Sequence, residues 1–222
     1  MTFPAGVLFD LDGTLVDSAP DFVATIAIMA EKRGLPPVTL DALRPHVSKG
    51  SRAMLAASFT DVEATERESW VPEFLDTYEA LLGDFAPPFV GVEQLLATLD
   101  RHQVAWGIVT NKPEYLAVQV LDKLNWTDRC KVLIGGDTLP QKKPDPLPLL
   151  VGAQKLSLQP AHTVYVGDDE RDIIAANAAG MPSIAALWGY RLGEDDPANW
   201  NATLMLDDLT ELFRGEAWPK PA

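Results

Sequence analysis

Short apolar runs recur along the chain, each closed by a turn signal: Ala5–Phe9, Val104–Val109, Val132–Ile134, Thr163–Val166, Ser183–Leu187 and Thr203–Leu206. Runs of this length bounded by Gly, Asn or Asp predict buried parallel strands. Between them, apolar residues repeat at helical spacing. Val92, Leu95, Leu96 and Leu99 make one stripe, Leu116, Val120 and Leu124 a second, and Leu149, Leu150, Ala153 and Leu156 a third. Alternation of the two patterns predicts an α/β fold: a doubly wound parallel sheet with right-handed crossovers.

One stretch interrupts the alternation. About ninety residues separate the first run from the second, far more than a crossover needs. Its pattern is helical, with Phe22, Ile26 and Met29 on one face and Phe74, Tyr78, Leu81 and Leu82 on another. Pro36-Pro37 and Pro87-Pro88 punctuate it. The expected organisation is a core domain of residues 1–16 and 86–222 with a helical domain, 17–85, inserted after the first strand. Open α/β sheets bind ligands outside the carboxyl ends of their strands, so an insert there is placed to act as a cap. The tail from Trp218 to Ala222 is expected to fray.

Composition narrows the function. The chain has 222 residues, 47% hydrophobic and 23% charged, with a net charge of −14. An acidic surface of this kind excludes non-specific nucleic-acid binding, which needs a basic face. No run is long enough to span a bilayer, and Met1-Thr2-Phe3-Pro4 lacks the basic start of a signal peptide. The single cysteine, Cys130, reads as a buried structural thiol, and a reducing, cytoplasmic setting is expected. His46, His102 and His162 have no ligand spacing and read as structural.

The predicted strand ends carry the chemistry. Phe9-Asp10-Leu11-Asp12-Gly13-Thr14 puts two carboxylates two residues apart, facing the same way in extended chain. Close carboxylates repel unless a cation joins them, and a hard divalent ion such as magnesium suits oxygen ligands. Asp12-Gly13 by itself reads equally well as a simple turn. After the second strand, Thr110-Asn111 offers a hydroxyl and backbone N–H groups to phosphoryl oxygens, or a helix cap. Lys143 precedes Pro144, which restricts its backbone; it reads either as a fixed ammonium offered to a phosphate or as a solvated loop lysine. Asp168 closes the fourth strand, and Asp172 follows one helical turn on; Asp169 and Glu170 read as N-terminal helix acids. Nucleophile, hydroxyl, cation and metal ligand in that order are what phosphoryl transfer requires.

These segments closely resemble the four motifs of the haloacid dehalogenase-like superfamily, over nearly the whole chain. The insert sits where that superfamily carries its helical C1-type cap, and the resemblance implies a Rossmann-like core. It further implies that Asp10 is the nucleophile that forms an aspartyl-phosphate and that Asp12 is the general acid–base. Thr110, the Asn111 backbone and Lys143 would offset charge on the phosphoryl oxygens. Magnesium would be held by Asp10, Asp168 and the main-chain carbonyl of Asp12, with Asp172 orienting a metal-bound water or Lys143. Substrate choice is assigned to the insert, at Lys49, Gly50, Ser51 and Arg52, a segment that reads equally well as an exposed interhelix loop, and Trp188 and Tyr190 are placed at the pocket border.

Within the superfamily the chain resembles the phosphoglycolate phosphatase group. Ala19-Pro20-Asp21-Phe22, Arg33-Gly34-Leu35-Pro36-Pro37, Trp106 to Pro113, Gly167 to Ile173 and Trp188-Gly189-Tyr190 look more specifically like the bacterial N-acetylmuramic acid 6-phosphate phosphatases. Phosphoglycolate phosphatases usually carry Ser at the position of Asp169 and often His at that of Asp145. The expected activity is therefore hydrolysis of a small phosphate monoester, N-acetylmuramic acid 6-phosphate from cell-wall recycling ahead of 2-phosphoglycolate. A sugar phosphomutase of the same superfamily is the more distant alternative.

Overall fold

The structure, a computed structural model, describes residues 3–220. Met1-Thr2, within the segment read for a leader, and Pro221-Ala222, at the end of the tail, lie outside the described residues.

All six apolar runs form strands: β1 (Gly6–Phe9), β2 (Ala105–Val109), β3 (Leu133–Ile134), β4 (Thr163–Gly167), β5 (Ser183–Ala186) and β6 (Leu204–Leu206). They pair in parallel in one sheet of order β3-β2-β1-β4-β5-β6. Residues of β1, β4 and β5 are buried throughout, which is why these strands read as continuous apolar runs rather than alternating ones. β6 departs from the expectation of a buried strand. It is an edge with one neighbour, and Met205 is exposed.

The register sets the chemistry at one edge. Phe9 is level with Ile108 of β2 and with Val166 of β4. The Asp10 N–H extends this ladder to the Val166 carbonyl at 2.9 Å, and the Thr110 N–H extends the next to Ile134 at 2.9 Å. Asp10, Thr110 and Asp168 therefore leave the sheet together at its carboxyl end. Strand order reverses around β1, so this edge is the topological switch point, where doubly wound sheets open a crevice.

The chain divides into two compact units. The sheet unit runs to Val16, covers Pro88–Gly189 and resumes at Asp196; the helical unit comprises Asp17–Pro87 and Tyr190–Asp195. The helical unit holds α1 (Ala19–Arg33), α2 (Leu40–Leu43), α3 (Ser51–Ser58), α4 (Ala64–Ser69) and α5 (Val71–Leu81). Pro20 opens α1 and Gly34, at φ 64°, ends it. Its core is aromatic, with the Phe22 ring stacked 4.2 Å from Tyr78 and 5.8 Å from Phe74. Buried Asp21 accepts the N–H groups of Gly83 and Phe85 at 2.6 and 2.8 Å, closing the loop after α5 onto α1. The segment 190–195, read as part of the sheet domain, belongs here instead. The Tyr190 hydroxyl accepts from the Ala19 N–H at 3.0 Å and donates to Asp17 at 2.7 Å. Tyr190 is thus a buried post of this unit.

The sheet unit adds α6 (Val92–Arg101), α7 (Glu114–Lys123), α8 (Leu147–Lys155) and α9 (Glu170–Ala179). Val92, Leu95, Leu96 and Leu99 are all fully buried on α6. Each such aliphatic side chain contributes about 1.5–3 kcal/mol relative to exposure. Leu149 and Ala153 of α8 pack with Leu8, Val109 and Tyr165 of the sheet. Leu150, assigned to the same stripe, turns to solvent. The tail is ordered at least to Trp218, which is buried and donates its indole N–H to the Leu212 carbonyl at 3.0 Å; the expectation of fraying fails there. Cys130 donates its S–H to the Val132 carbonyl at 3.1 Å, and burial pushes its pKa up to about 11. It is a structural thiol. No helix among the described residues is long and apolar enough to cross a membrane.

Candidate active site

Three buried carboxylates meet at the carboxyl end of the sheet. Asp10, Asp168 and Asp172 each place an oxygen within 4.8 Å of the others. Asp10 continues β1 and Asp168 continues β4. Asp172 arrives through the start of α9, where Asp169 is the N-cap. The Asp169 side chain accepts the Arg171 N–H at 3.0 Å, and Asp172 Oδ2 accepts the Asp169 N–H at 3.1 Å. This reciprocal capping leaves the other Asp172 oxygen for the site. Asp169 serves the helix, as the sequence predicts for it.

Lys143 enters on the loop before α8, and its peptide bond to Pro144 is cis. Its ammonium is fully buried, 2.7 Å from Asp172 Oδ1 and 3.0 Å from Asp10 Oδ1, and it donates to the Tyr165 hydroxyl at 2.7 Å. The Asp10 contact is an ion pair, and Asp10 Oδ1, though buried, makes no hydrogen bond to any other group among the described residues. Burial works against the Lys143 charge, but Asp10 and Asp172 outweigh it and hold its pKa above the ordinary lysine value. Asp172 is pushed up to about 6, chiefly by burial, with Lys143 opposing the rise and Asp10 adding to it. Tyr165 was not singled out in the sequence. Its hydroxyl accepts from Lys143 and donates to the Val109 carbonyl at 2.8 Å, tying the cation to the end of β2. Burial first, and the nearby carboxylates second, keep its proton bound far above the usual tyrosine pKa. The available signal was a tyrosine inside an apolar strand, whose hydroxyl must find a buried partner.

Asp168 is fixed by contact on two sides. Oδ1 accepts the Thr14 hydroxyl at 2.9 Å. Gly13 has φ +88°, and a Cβ there would lie 2.2 Å from Asp168 Oδ2. A Cβ on Gly189 would lie 2.2 Å from the Asp168 Cβ. Gly13 is thus required both by its left-handed backbone and by the carboxylate beside it. Trp188, expected at a pocket border, donates its indole N–H to the Thr14 carbonyl at 3.0 Å and steadies the same turn.

Asp12 stands apart from the three carboxylates as a side chain. Both its oxygens lie 3.1 Å from Lys112 Nζ, another cation the sequence did not single out. Thr110, buried at the end of β2, accepts the Lys112 N–H at 3.2 Å. Asn111 donates its side-chain amide to the Lys143 carbonyl at 2.9 Å, so it positions that lysine's backbone. In the helical unit, Lys49 pairs with Asp195 at 3.1 Å and Arg52 with Glu68 at 2.6 Å, the latter on the surface beside Ser51 and Gly50.

The donor set fits a hard cation. Three buried carboxylates face the buried ammonium of Lys143, with Arg171 also attracting Asp10 and Asp172 from a partly exposed position, and the remaining excess of negative charge is one that burial makes costly. The three carboxylates offer only oxygens, and Asp10 Oδ1 has no hydrogen-bond partner among the described residues beyond the ion pair with Lys143. That chemistry suits magnesium.

The model for "Haloacid dehalogenase-like hydrolase" matches residues 7–186. A phosphoglycolate phosphatase of Xanthomonas campestris pv. campestris is 60% identical over 221 residues, covering 100% of both chains. An N-acetylmuramic acid 6-phosphate phosphatase of Pseudomonas aeruginosa is 41% identical over 208 residues, covering 93% of this chain and 92% of its own. The crystal structure of a predicted phosphoglycolate phosphatase from Haemophilus somnus 129pt superposes with a TM-score of 0.83 at 25% identity, over 96% of this chain and 97% of that one. With matched motifs on a matched sheet, the chain belongs to the haloacid dehalogenase-like hydrolase family.

Proposed function

We propose that this phosphatase hydrolyses 2-phosphoglycolate through an aspartyl-phosphate on Asp10. The observation that carries the reading is the convergence of Asp10, Lys143, Asp168 and Asp172 at the switch point of the sheet. Asp10 attacks phosphorus; the Asp10 O–P bond forms as the ester O–P bond breaks, and Asp12 gives its proton to the departing oxygen. Water then adds to phosphorus, the Asp10 O–P bond breaks, and Asp12 takes the water's proton. Lys143 offsets charge on the phosphoryl oxygens, and Thr110 with the Asn111 backbone borders them. Asp10, Asp168 and Asp172 would hold magnesium, with the Asp12 main-chain carbonyl as the family resemblance implies. When bound, the ion supplies positive charge against the carboxylates and the phosphoryl group. The helical unit acts as the cap and selects the rest of the ester, through Lys49, Gly50, Ser51 and Arg52.

Sequence motifs alone rank N-acetylmuramic acid 6-phosphate first. The relative at 60% identity over the full length supports the opposite order, while the one at 41% supports the muramic ester as the second reading. The deciding assay compares kcat/KM for the two esters with magnesium. A higher value for 2-phosphoglycolate supports the first reading, and a higher value for the muramic ester replaces it. Asp10→Asn, with the fold intact by circular dichroism, is expected to lower turnover of either ester by more than about 10³-fold. Retained turnover would remove the covalent scheme.

A further inference from the structure

Lys112 has no part in the scheme above, yet its placement is costly. Its side chain is 3% exposed, against 17% for its partner Asp12. A lysine ammonium is rarely buried to that degree, and burying one is unfavourable unless it is paired. The ion pair is evenly divided, with both Asp12 oxygens at 3.1 Å.

The backbone carrying Lys112 is held from several sides. Its N–H donates to the Thr110 hydroxyl at 3.2 Å, and its carbonyl accepts the Gly136 N–H at 2.8 Å. A Cβ on Gly136 would lie 2.3 Å from the Asn111 carbonyl oxygen, so the neighbouring loop packs directly on this turn. The ammonium therefore projects from the fixed carboxyl end of β2. Asp12, in contrast, sits on the turn that follows β1, and its carboxylate has the two-residue spacing that would let it join Asp10 among the other acids. In the structure it does not join them. The described carboxylates that group are Asp10, Asp168 and Asp172, and Asp12 is turned to Lys112.

We infer that Lys112 is a positioning residue: it clamps both oxygens of Asp12 and keeps that carboxylate apart from the Asp10–Asp168–Asp172 group, aimed for proton transfer. Lys112 acts through Asp12. The inference rests on the reading of Asp12 as acid–base, and it adds the device that orients it. Misplacing a reacting group by about 1 Å costs on the order of 10²-fold, so the effect of losing the clamp is expected on that scale.

The test separates the two steps by leaving group. p-Nitrophenolate departs without a proton, so Asp10 is phosphorylated from p-nitrophenyl phosphate whether or not Asp12 is well placed. Hydrolysis of the aspartyl-phosphate still needs Asp12. The expected result for Lys112→Met is a phosphoenzyme that accumulates during turnover of this ester, trapped by acid quench and detected by mass, at a level several-fold above wild type. Turnover of an alkyl phosphate, which needs Asp12 in both steps, should fall on the order of 10²-fold. Lys112→Arg keeps a cation of similar reach and should restore most of both, an outcome that a mere packing defect would not give. Asp12→Asn is the control and should also accumulate phosphoenzyme. If Asp12→Asn accumulates it and Lys112→Met does not, the clamp is overturned while the acid–base reading stands. If neither accumulates it, the acid–base reading falls, and the clamp with it.

Discussion

Two sets of ion pairs in this protein join a cation to a carboxylate under opposite conditions. At the sheet edge, Lys143 is fully buried between Asp10 and Asp172, with its ammonium bonded to the Tyr165 hydroxyl and its carbonyl to the Asn111 amide. In the helical unit, Arg52 and Glu68 are 69% and 54% exposed, and their bidentate pair lies open to water. Exposed pairs contribute about 0–1 kcal/mol, because water competes for both partners and salt screens them. Buried pairs cost desolvation, and they persist where geometry and extra hydrogen bonds offset it. The contrast shows where the molecule tolerates change. Charges on the strand ends are held by register and steric contact, and the Arg52–Glu68 pair by its two side chains. Phosphoryl chemistry, common to many esters, fits the first kind of site. Under the proposed reading, choice among esters falls to the second.

The sharpest way to break this contrast is to disturb the packing without touching a charge. Gly189→Ala would drive a methyl into Asp168, 2.2 Å from its Cβ. Overpacking of this kind costs about 1–3 kcal/mol, and because the contact is with a carboxylate, magnesium affinity should fall with it. Calorimetric titration of magnesium against the variant, alongside a melt, checks both. Unchanged affinity would mean Asp168 is less confined than its contacts show.

Tyr165→Phe comes next. It removes an acceptor from Lys143 and a donor from the Val109 carbonyl while keeping the ring. Leaving buried partners unsatisfied costs about 1–3 kcal/mol, so a drop in melting temperature and roughly tenfold slower turnover are expected, with little change in KM. Equal melting curves would show that water replaces the hydroxyl.

The smallest effect belongs to the helical unit. Hydrogen bonds from Arg33 and then Lys32 lower the Glu73 pKa from 4.5 to about 2. A carboxyl lowered on folding adds stability that is complete above its unfolded pKa and lost as pH falls toward its folded one. The gain is therefore present at neutral pH and fades between about pH 4.5 and about pH 2. Exposure limits it to about 1 kcal/mol. The melting difference between wild type and Glu73→Gln should be small at neutral pH and shrink on acidification through that window. A difference that grows instead would reverse the assignment.

Much of the fold was legible in the chain because its signals are local. The six apolar runs became six strands since a parallel strand buried on both faces must be apolar throughout. The exceptions have local causes too: β6 lies at an edge, and Leu150 sits on the outer face of α8. Asp10, Lys143, Asp168 and Asp172 were legible as candidates because each follows a strand or a turn signal in sequence. Their roles in catalysis belong to the proposal.

What the chain by itself determined was the order of strands and helices, the helical insertion after the first strand, and which residues would stand at strand ends. Periodicity and turn chemistry act over a few residues, and they suffice for that. Only the tertiary structure decided that Lys112 reaches back to Asp12, one hundred positions away in sequence, that Tyr165 props Lys143, that Gly189 makes room for Asp168, and that Tyr190–Asp195 returns to the helical unit. The first three depend on strands distant in sequence becoming neighbours in one sheet, and the last on Tyr190 bonding Asp17 and Ala19; partners so far apart in sequence leave no local pattern in either segment.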